Sequence, residues 1–314
     1  MTEGRSGRSI GVILGGGALV LATGVALTLA PESTADASDA GSELPTWPAS
    51  ELDGARGDLF ALPDEPLAGF VLIPEGPFLM GSDPSVDPMA FAVERWSSTE
   101  RQGRLELPAF YLARYEVTVA QFVDFARATG HRVPEPSELG ARPDHPVVNV
   151  SWADALRYTQ WLDSALRRSS ATPPDVKVLL DEGWRVTLPD EAQWEKAARG
   201  TDGALFPWGD GFERSYANVG TGAVAAVGSR SCPCAHGLSD MAGNVWEWTL
   251  SPYQPYPHST SDDARTVRDD ALWVMRGGSF QDDPQQARAA NRGGADPGAR
   301  RPFIGFRIAL VSER

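Results

Sequence analysis

The segment 237–249 constrains the fold more than any other part of the chain, because it places a glutamate between two tryptophans: Gly-Leu-Ser-Asp-Met-Ala-Gly-Asn-Val-Trp-Glu-Trp-Thr. Tryptophan side chains bury large areas and then require an acceptor for the indole N–H. The glutamate between them, Glu247, is therefore expected to be at least half buried. A buried carboxylate is costly unless it is hydrogen-bonded, paired or bound to a metal. The segment therefore predicts either a fully hydrogen-bonded core turn or an ion site.

Other motifs accompany this segment in a fixed order along the chain. They lie at 70–81, 116–118, 145–152, 188–195, 276–280 and 305–307. The ordered set resembles the formylglycine-generating enzyme family, also called the sulfatase-modifying factor family, and several ordered motifs are far more specific than any one of them. The resemblance covers roughly residues 67–314. It implies a fold similar to a C-type lectin, with little regular secondary structure.

Composition agrees with an irregular domain and limits the classes of partner. The 314 residues include 32 Gly, 25 Pro and 10 Trp, which is typical of a loop-rich fold. The formal net charge of −14 argues against nucleic acid, because phosphate neutralisation requires clustered Lys and Arg.

The N-terminal region predicts a membrane segment and a linker. Arg5 and Arg8 precede an uncharged, largely apolar run at 9–31, so residues 1–31 are expected to form a signal anchor, with a cleaved signal peptide as the alternative. The positive-inside rule then places the remainder outside the cytoplasm, in the periplasm or at the cell surface. Residues 32–66 are expected to be a disordered linker, although the apolar quartet 59–62 could instead pack along the domain. The folded domain is expected at 67–314.

Strands and helices mix without a regular alternation, which favours an α+β fold. Strands are expected at 70–73 and 78–81 around a turn, and at 110–115, 273–276 and 303–310. Three helices are predicted from capping boxes, in which an N-cap side chain and the residue three positions later satisfy each other's backbone N–H. The pairs are Thr118 with Gln121, Ser151 with Asp154, and Asp190 with Gln193, and glycines end the first and third helices at Gly130 and Gly200.

The resemblance implies a calcium site in the segment 237–249, which is called the organising segment below. Asp240, Gly243, Val245 and Glu247 correspond to the family's ligand positions, and calcium prefers carboxylate and backbone carbonyl oxygens. The alternative is a buried Glu247 that is satisfied by backbone N–H groups. A second family calcium site matches only in its first half, at Asn218 and Val219, because residues 220–228 contain no acid.

The resemblance also implies a redox centre that this chain has lost. Competent members carry two cysteines after the Gly-Gly-Ser motif, where they bind copper and oxidise a substrate cysteine. The equivalent positions here are Asp282 and Ala287. Copper is not expected, because a carboxylate and a methyl group do not suit Cu(I). The stretch instead resembles the cysteine-free branch of the family, which leaves Ser279, Asp282, Arg288 and Arg292 as groove candidates.

The chain has only two cysteines, Cys232 and Cys234, and they lie before the organising segment. Outside the cytoplasm a disulfide is expected, either within this pair or between molecules. The alternative is a Cys-x-Cys redox pair that reaches the groove. Arg288 and Arg292 could bind a peptide or an anionic ligand, since guanidinium groups hold carboxylates in bidentate fashion. Internal ion pairing is expected for Arg307.

These observations favour an extracytoplasmic pseudoenzyme that binds a protein or peptide ligand, or serves as an accessory subunit, stabilised by calcium. The alternative is a divergent protein-modifying oxidoreductase related to the oxidase that converts sulfatase cysteine to formylglycine. The sequence leaves open whether the protein is an enzyme.

Overall fold

A computed structural model describes residues 44, 54–97, 102–132, 142–257 and 271–312. Within these ranges the chain mixes α-helices with short strands, as the sequence predicts. No helix among the described residues is long and apolar enough to cross a membrane. The predicted membrane segment 1–31 lies outside the described residues, as does most of the predicted linker.

Two four-stranded sheets form the centre of the described fold. One has the order β10-β9-β8-β11 and the other the order β3-β6-β12-β7, while β1-β2 and β4-β5 form separate two-stranded sheets. Every pairing is antiparallel except that of β8 with β11. The strands are β1 (Ala55–Arg56), β2 (Leu62–Pro63), β3 (Phe70–Ile73), β4 (Gly76–Met80), β5 (Gly103–Leu107), β6 (Phe110–Ala113), β7 (Trp184–Thr187), β8 (Trp246–Pro252), β9 (Trp273–Arg276), β10 (Arg292–Ala295), β11 (Ile304–Phe306) and β12 (Ala309–Ser312).

Four α-helices are present among the described residues: α1 (Val119–Thr129), α2 (Trp152–Arg168), α3 (Pro174–Asp181) and α4 (Glu191–Arg199). The three predicted capping boxes are confirmed at the starts of α1, α2 and α4. Gly130 ends α1 in the left-handed conformation, as expected for a helix C-terminus. The sequence reasoning missed α3, which starts at a proline and has no side-chain cap.

The two strands predicted around a turn within 70–81 are present, but they do not pair with each other. β3 pairs with β6 and β4 pairs with β5, so they belong to different sheets. The predicted strand at 303–310 is likewise divided into β11 and β12. Between them Arg307 and Ile308 carry the chain from one central sheet to the other. The predicted strands at 110–115 and 273–276 are confirmed as β6 and β9.

The predicted linker ends too late, because ordered packing begins before residue 66. Leu59 is fully buried and Leu62 is 2 % exposed, and both belong to the larger apolar cluster. The apolar quartet 59–62 therefore packs along the domain, which was the alternative for this stretch. Burial of such side chains contributes about 1.5–3 kcal/mol each, which offsets the cost of ordering the segment.

Strand β8 separates the two main apolar clusters. Trp246 and Trp248 are fully buried in the larger cluster, whereas Trp194 of α4 belongs to the other. Because side chains alternate along a strand, Glu247 points away from the two tryptophans that flank it. Both indoles find acceptors: Trp248 donates to Val150 O at 3.0 Å and Trp246 to Asp282 at 2.8 Å.

Substitution of Gly243 tests the close approach of the organising segment to residue 218. Gly243 has φ +87°, and an added Cβ would lie 2.5 Å from the Asn218 carbonyl oxygen. We expect Gly243→Ala to lower the free energy of unfolding by at least about 2 kcal/mol, measured by urea denaturation. Gly222→Ala is the matched control, because Gly222 has φ +82° but open space around it. Equal losses in the two variants would show that the close contact contributes nothing.

Candidate functional site

Glu247 is held by an arginine and an indole. Arg307 donates from Nε and Nη2 to the two carboxylate oxygens, each at 2.6 Å, and Trp194 Nε1 donates to Oε2 at 2.7 Å. Glu247 and Arg307 are both fully buried. Glu247 is therefore a buried, hydrogen-bonded core residue, which was the alternative to a calcium ligand. The prediction that backbone N–H groups would be its donors is wrong, because its donors are side chains. Internal pairing of Arg307 is confirmed.

Two further buried acids lie around this ion pair. Asp240 accepts a hydrogen bond from Gly228 N at 2.6 Å, and burial raises its pKa to about 6. Burial and the neighbouring Asp240 raise the pKa of Glu116 well above its usual range. Asn244 donates to Glu116 Oε2 at 2.7 Å, but Glu116 Oε1 is buried without a hydrogen-bond partner. The sequence reasoning missed Glu116 as a site residue, although it begins one of the family motifs.

Glu116 and Asp240 fit a calcium ion better than the four predicted ligand residues do. Glu247 already carries charged and indole donors on both oxygens, so it has little need of a metal. The orphaned Oε1 of Glu116, beside the carboxylate of Asp240, is an oxygen that a cation would satisfy. No group of three or more His, Cys, Asp or Glu with the arrangement of a metal site occurs among the described residues. Calcium binding by Asp240, Gly243, Val245 and Glu247 therefore stays a prediction.

The second predicted calcium position serves as a link between loops. Asn218 Oδ1 accepts from the Thr221 hydroxyl at 2.6 Å, and its amide donates to Asn244 Oδ1 at 2.9 Å. Val219 is 1 % exposed and packs in a small apolar cluster with Ala287. The contacts of Asn218 are thus those of a structural amide.

At the first vacated cysteine position, the carboxylate of Asp282 is fixed by neutral donors. Its Oδ2 accepts from Trp246 Nε1 at 2.8 Å, from Ser279 N at 2.9 Å and from the Ser279 hydroxyl at 2.7 Å. Burial raises the pKa of Asp282. At the second position, Ala287 is fully buried, so its methyl group fills core space. Ser279 and Asp282 thus contact each other, and their role as groove residues stays a prediction.

Arg288 and Arg292 do not line an open groove. Arg288 is fully buried and donates to Glu94 at 2.8 and 2.7 Å and also to Asp87. Arg292 is 2 % exposed and makes a bidentate pair with Glu191 at 2.8 and 2.6 Å. The prediction that they bind an external peptide or anion is wrong for this arrangement, because internal acids already neutralise them.

The acids of helix α4 extend this network to strand β9. Arg276 donates to Glu191 at 3.1 Å and to Glu195 at 2.5 Å, and Arg199 donates to Glu195 at 2.9 Å. The sequence reasoning did not single out Glu191 and Glu195. Their spacing of four residues, which places them on one face of the helix beside Trp194, is the signal that could have found them.

Cys232 and Cys234 form a disulfide with each other, with a Cα–Cα separation of 5.1 Å. The expected disulfide is thus present within the pair. The adjoining turn contacts other loops, since Ala235 N donates to Pro207 O at 2.8 Å. Cys232 Sγ lies 4.0 Å from Leu238 O. The contacts found for this loop among the described residues do not extend to Ser279, so the alternative of a redox pair in the groove has no support here.

In a double-mutant cycle on Glu247 and Arg307, we expect unequal losses from the two single substitutions and a non-additive double variant. Arg307→Met removes the charged partner of Glu247 beside two further buried acids, so it should lower the unfolding free energy by about 3–5 kcal/mol. Glu247→Leu leaves Arg307 near Glu116 and Asp240, so it should cost less. The double variant should recover a large part of that loss. As a control, Asp181→Asn breaks the exposed pair with Lys177 at 3.3 Å and should cost less than about 1 kcal/mol. Strictly additive losses, measured by urea denaturation, would contradict this assignment.

Comparison with known proteins agrees with this geometry. The family model described as "Sulfatase-modifying factor enzyme 1-like domain" matches residues 56–311. The formylglycine-generating enzyme of Thermomonospora curvata is 29 % identical, over 79 % of this chain and 95 % of that protein. The inactive Cα-formylglycine-generating enzyme 2 of Bos taurus is 31 % identical, over 57 % of this chain and 54 % of that protein.

Similarity extends to an oxygenase and to a solved structure. The hercynine oxygenase of Mycolicibacterium smegmatis is 28 % identical, over 76 % of this chain and 60 % of that protein. The structure of PvdO from Pseudomonas aeruginosa superposes with a TM-score of 0.57 at 25 % identity, covering 77 % of this chain and 93 % of that one. A family match over residues 56–311, with the organising segment inside it, shows that this chain belongs to the sulfatase-modifying factor, or formylglycine-generating enzyme, family.

Proposed function

We propose that this protein is a binding module with the formylglycine-generating enzyme fold that does not perform copper–thiolate oxidation. One observation carries the proposal: the chain contains only two cysteines, and both are joined in the Cys232–Cys234 disulfide. No thiol remains to hold Cu(I). The relatives include proteins named as formylglycine-generating enzymes and others named as inactive, so family membership by itself does not decide activity.

The groups at the vacated centre support the same conclusion. The Oδ2 atom of Asp282 accepts three hydrogen bonds from Trp246 and Ser279, which hold the carboxylate within the loop. Cu(I) prefers soft sulfur ligands, and neither a carboxylate nor the methyl group of Ala287 supplies one. A protein or peptide is the ligand that this proposal assigns to the domain.

The N-terminal sequence supplies the proposed location. An uncharged run at 9–31 behind Arg5 and Arg8 supports an anchor in a membrane, with the folded domain outside the cytoplasm. The competing function is a divergent protein-modifying oxidoreductase, for which the similarity to hercynine oxygenase is the supporting observation.

An oxidation assay separates the two functions. With copper and a sulfatase-type Cys-x-Pro-x-Arg peptide, the wild-type protein should consume no oxygen, because no thiolate pair is available. In a Cys232→Ser/Cys234→Ser background, Asp282→Cys combined with Ala287→Cys should gain Cu(I) binding, measured by competition with a chromophoric chelator. Neither single substitution should do so.

The serine background removes native thiols that would themselves bind Cu(I) under reducing conditions. Copper-dependent peptide oxidation by the wild-type protein would overturn the binding proposal and establish the oxidoreductase.

We further propose that calcium offsets the excess buried negative charge of the organising segment. Glu116, Asp240 and Glu247 surround Arg307, and the charge of Glu247 contributes to the raised pKa of Asp240. Glu116 Oε1 and Asp240 would hold the ion, together with backbone oxygens. Bound calcium would supply positive charge where the protein has too little.

The pH dependence of stability tests this. Burial raises the folded-state pKa of Asp240 from 3.8 to about 6. The stability that the protonated Asp240 contributes to the folded state is therefore fully present below pH 4 and lost as the pH rises through 6. In chelator the unfolding free energy should therefore fall between pH 4 and pH 7, by on the order of 3 kcal/mol. Added calcium should raise Tm more at pH 8 than at pH 5.

Asp240→Asn should abolish the calcium effect, while Glu75→Gln, at an exposed acid elsewhere, should preserve it. Asp240→Asn is a better test than Glu247→Ala, because loss of the Glu247 partner of Arg307 would destabilise the fold whether or not calcium binds. A wild-type Tm that never responds to calcium would show that protons alone neutralise the acids.

A further inference from the structure

A cavity of about 320 Å³ lies between the segment 54–65 and the N-terminal end of helix α1. The residues that line it include neither Glu247 nor any residue of 279–292, so it is separate from the vacated centre. The volume is within the range of about 300–1,000 Å³ typical of small-molecule sites. The cavity is open to solvent on one side.

Its lining combines small apolar side chains with two acids. Ala55, Pro63 and Val227 are among the apolar groups. Among the described residues that line the cavity, Glu65 and Asp144 are the charged ones, and none is Lys, Arg or His. A ligand with an apolar stem and a positive charge would complement such a wall.

The two acids differ in what they offer a ligand. Glu65 is occupied, since Arg114 Nε donates to it at 2.8 Å and the Tyr115 hydroxyl at 2.9 Å. Burial and Glu65 raise the pKa of Tyr115 to about 12, so this hydroxyl stays protonated and donates. Asp144 contacts His145 Nδ1 through one oxygen at 2.7 Å, and its side chain is 52 % exposed. Asp144 therefore keeps acceptor capacity at the mouth of the cavity.

The start of helix α1 borders the cavity but is not an anion site. Val119 N donates to His145 O at 2.9 Å and Ala120 N to Pro143 O at 3.1 Å. Gln121 N donates to the Thr118 hydroxyl at 3.4 Å. With these N–H groups occupied, the helix terminus has no free donors to offer a phosphate or carboxylate. The acidic lining therefore favours a positively charged ligand.

We propose that this cavity binds a primary ammonium group on a short aliphatic chain, with Asp144 as its counter-ion and Ala55, Pro63 and Val227 around the stem. A free alkyl diamine and the lysine side chain of a peptide share this chemistry. An ammonium group donates up to three hydrogen bonds, which the oxygens of Asp144 and the rim can accept.

Isothermal titration of the whole protein tests the proposal with three probes. Cadaverine represents a free diamine, N-acetyl-lysine amide represents a peptide side chain, and 1-pentanol matches the stem without the charge. At least one of the two amines should bind with 1:1 stoichiometry, and 1-pentanol should not bind measurably. Tighter binding of the lysine amide would identify a peptide ligand, and tighter binding of cadaverine a free amine.

Three variants define the site. Asp144→Asn should weaken amine binding about tenfold, since it removes a charge-assisted contact. Ala55→Leu, at a partly exposed position, should abolish binding by filling the cavity. Asp58→Asn is the control, because Asp58 is an exposed acid of the same segment outside the lining.

The proposal is overturned if neither amine gives saturable binding at millimolar concentration. It is also overturned if Asp58→Asn weakens binding as much as Asp144→Asn, since that would indicate general attraction to a chain of net charge −14. Thermal melts of each variant confirm that the fold is retained.

Discussion

The ion pair between Glu247 and Arg307 holds the two central sheets together. Arg307 lies where the chain leaves β11 for β12, and therefore at the crossover from one sheet to the other. Its partner is on β8, beside the parallel pairing with β11. Buried ion pairs rarely add much net stability, because desolvation offsets attraction, but a broken pair is strongly destabilising. Loss of either partner would therefore disturb this crossover.

A second set of buried charges supports the loop after Gly-Gly-Ser. Arg276, Arg288 and Arg292 each bind acids from distant parts of the chain, while Asp282 is held by Trp246. The geometry of this region therefore depends on charges and an indole. A loop supported in this way keeps its shape independently of the chemistry that it carries, and one fold can host different functions.

Local signals in the sequence predicted local structure well. The three capping boxes, the glycine after α1 and the burial of Glu247 between two tryptophans all follow from contacts within a few residues. The sequence did not reveal which charges pair, since Arg288 and Glu94 are 194 residues apart. Nor does the alternation of apolar residues show that β3 pairs with β6 and β4 with β5. Partner choice is a property of the assembled core.

The two alternatives for the organising segment, core turn and ion site, are therefore compatible. Glu247 is part of the core, because Arg307 and Trp194 satisfy both of its oxygens. Asp240 and Glu116 bring negative charge that this one guanidinium cannot fully neutralise, and a buried carboxylate oxygen of Glu116 is left without a donor. Excess buried charge must be removed by a proton or offset by a cation. The segment that constrains the fold most is thus also one where buried acids gather around a single ion pair.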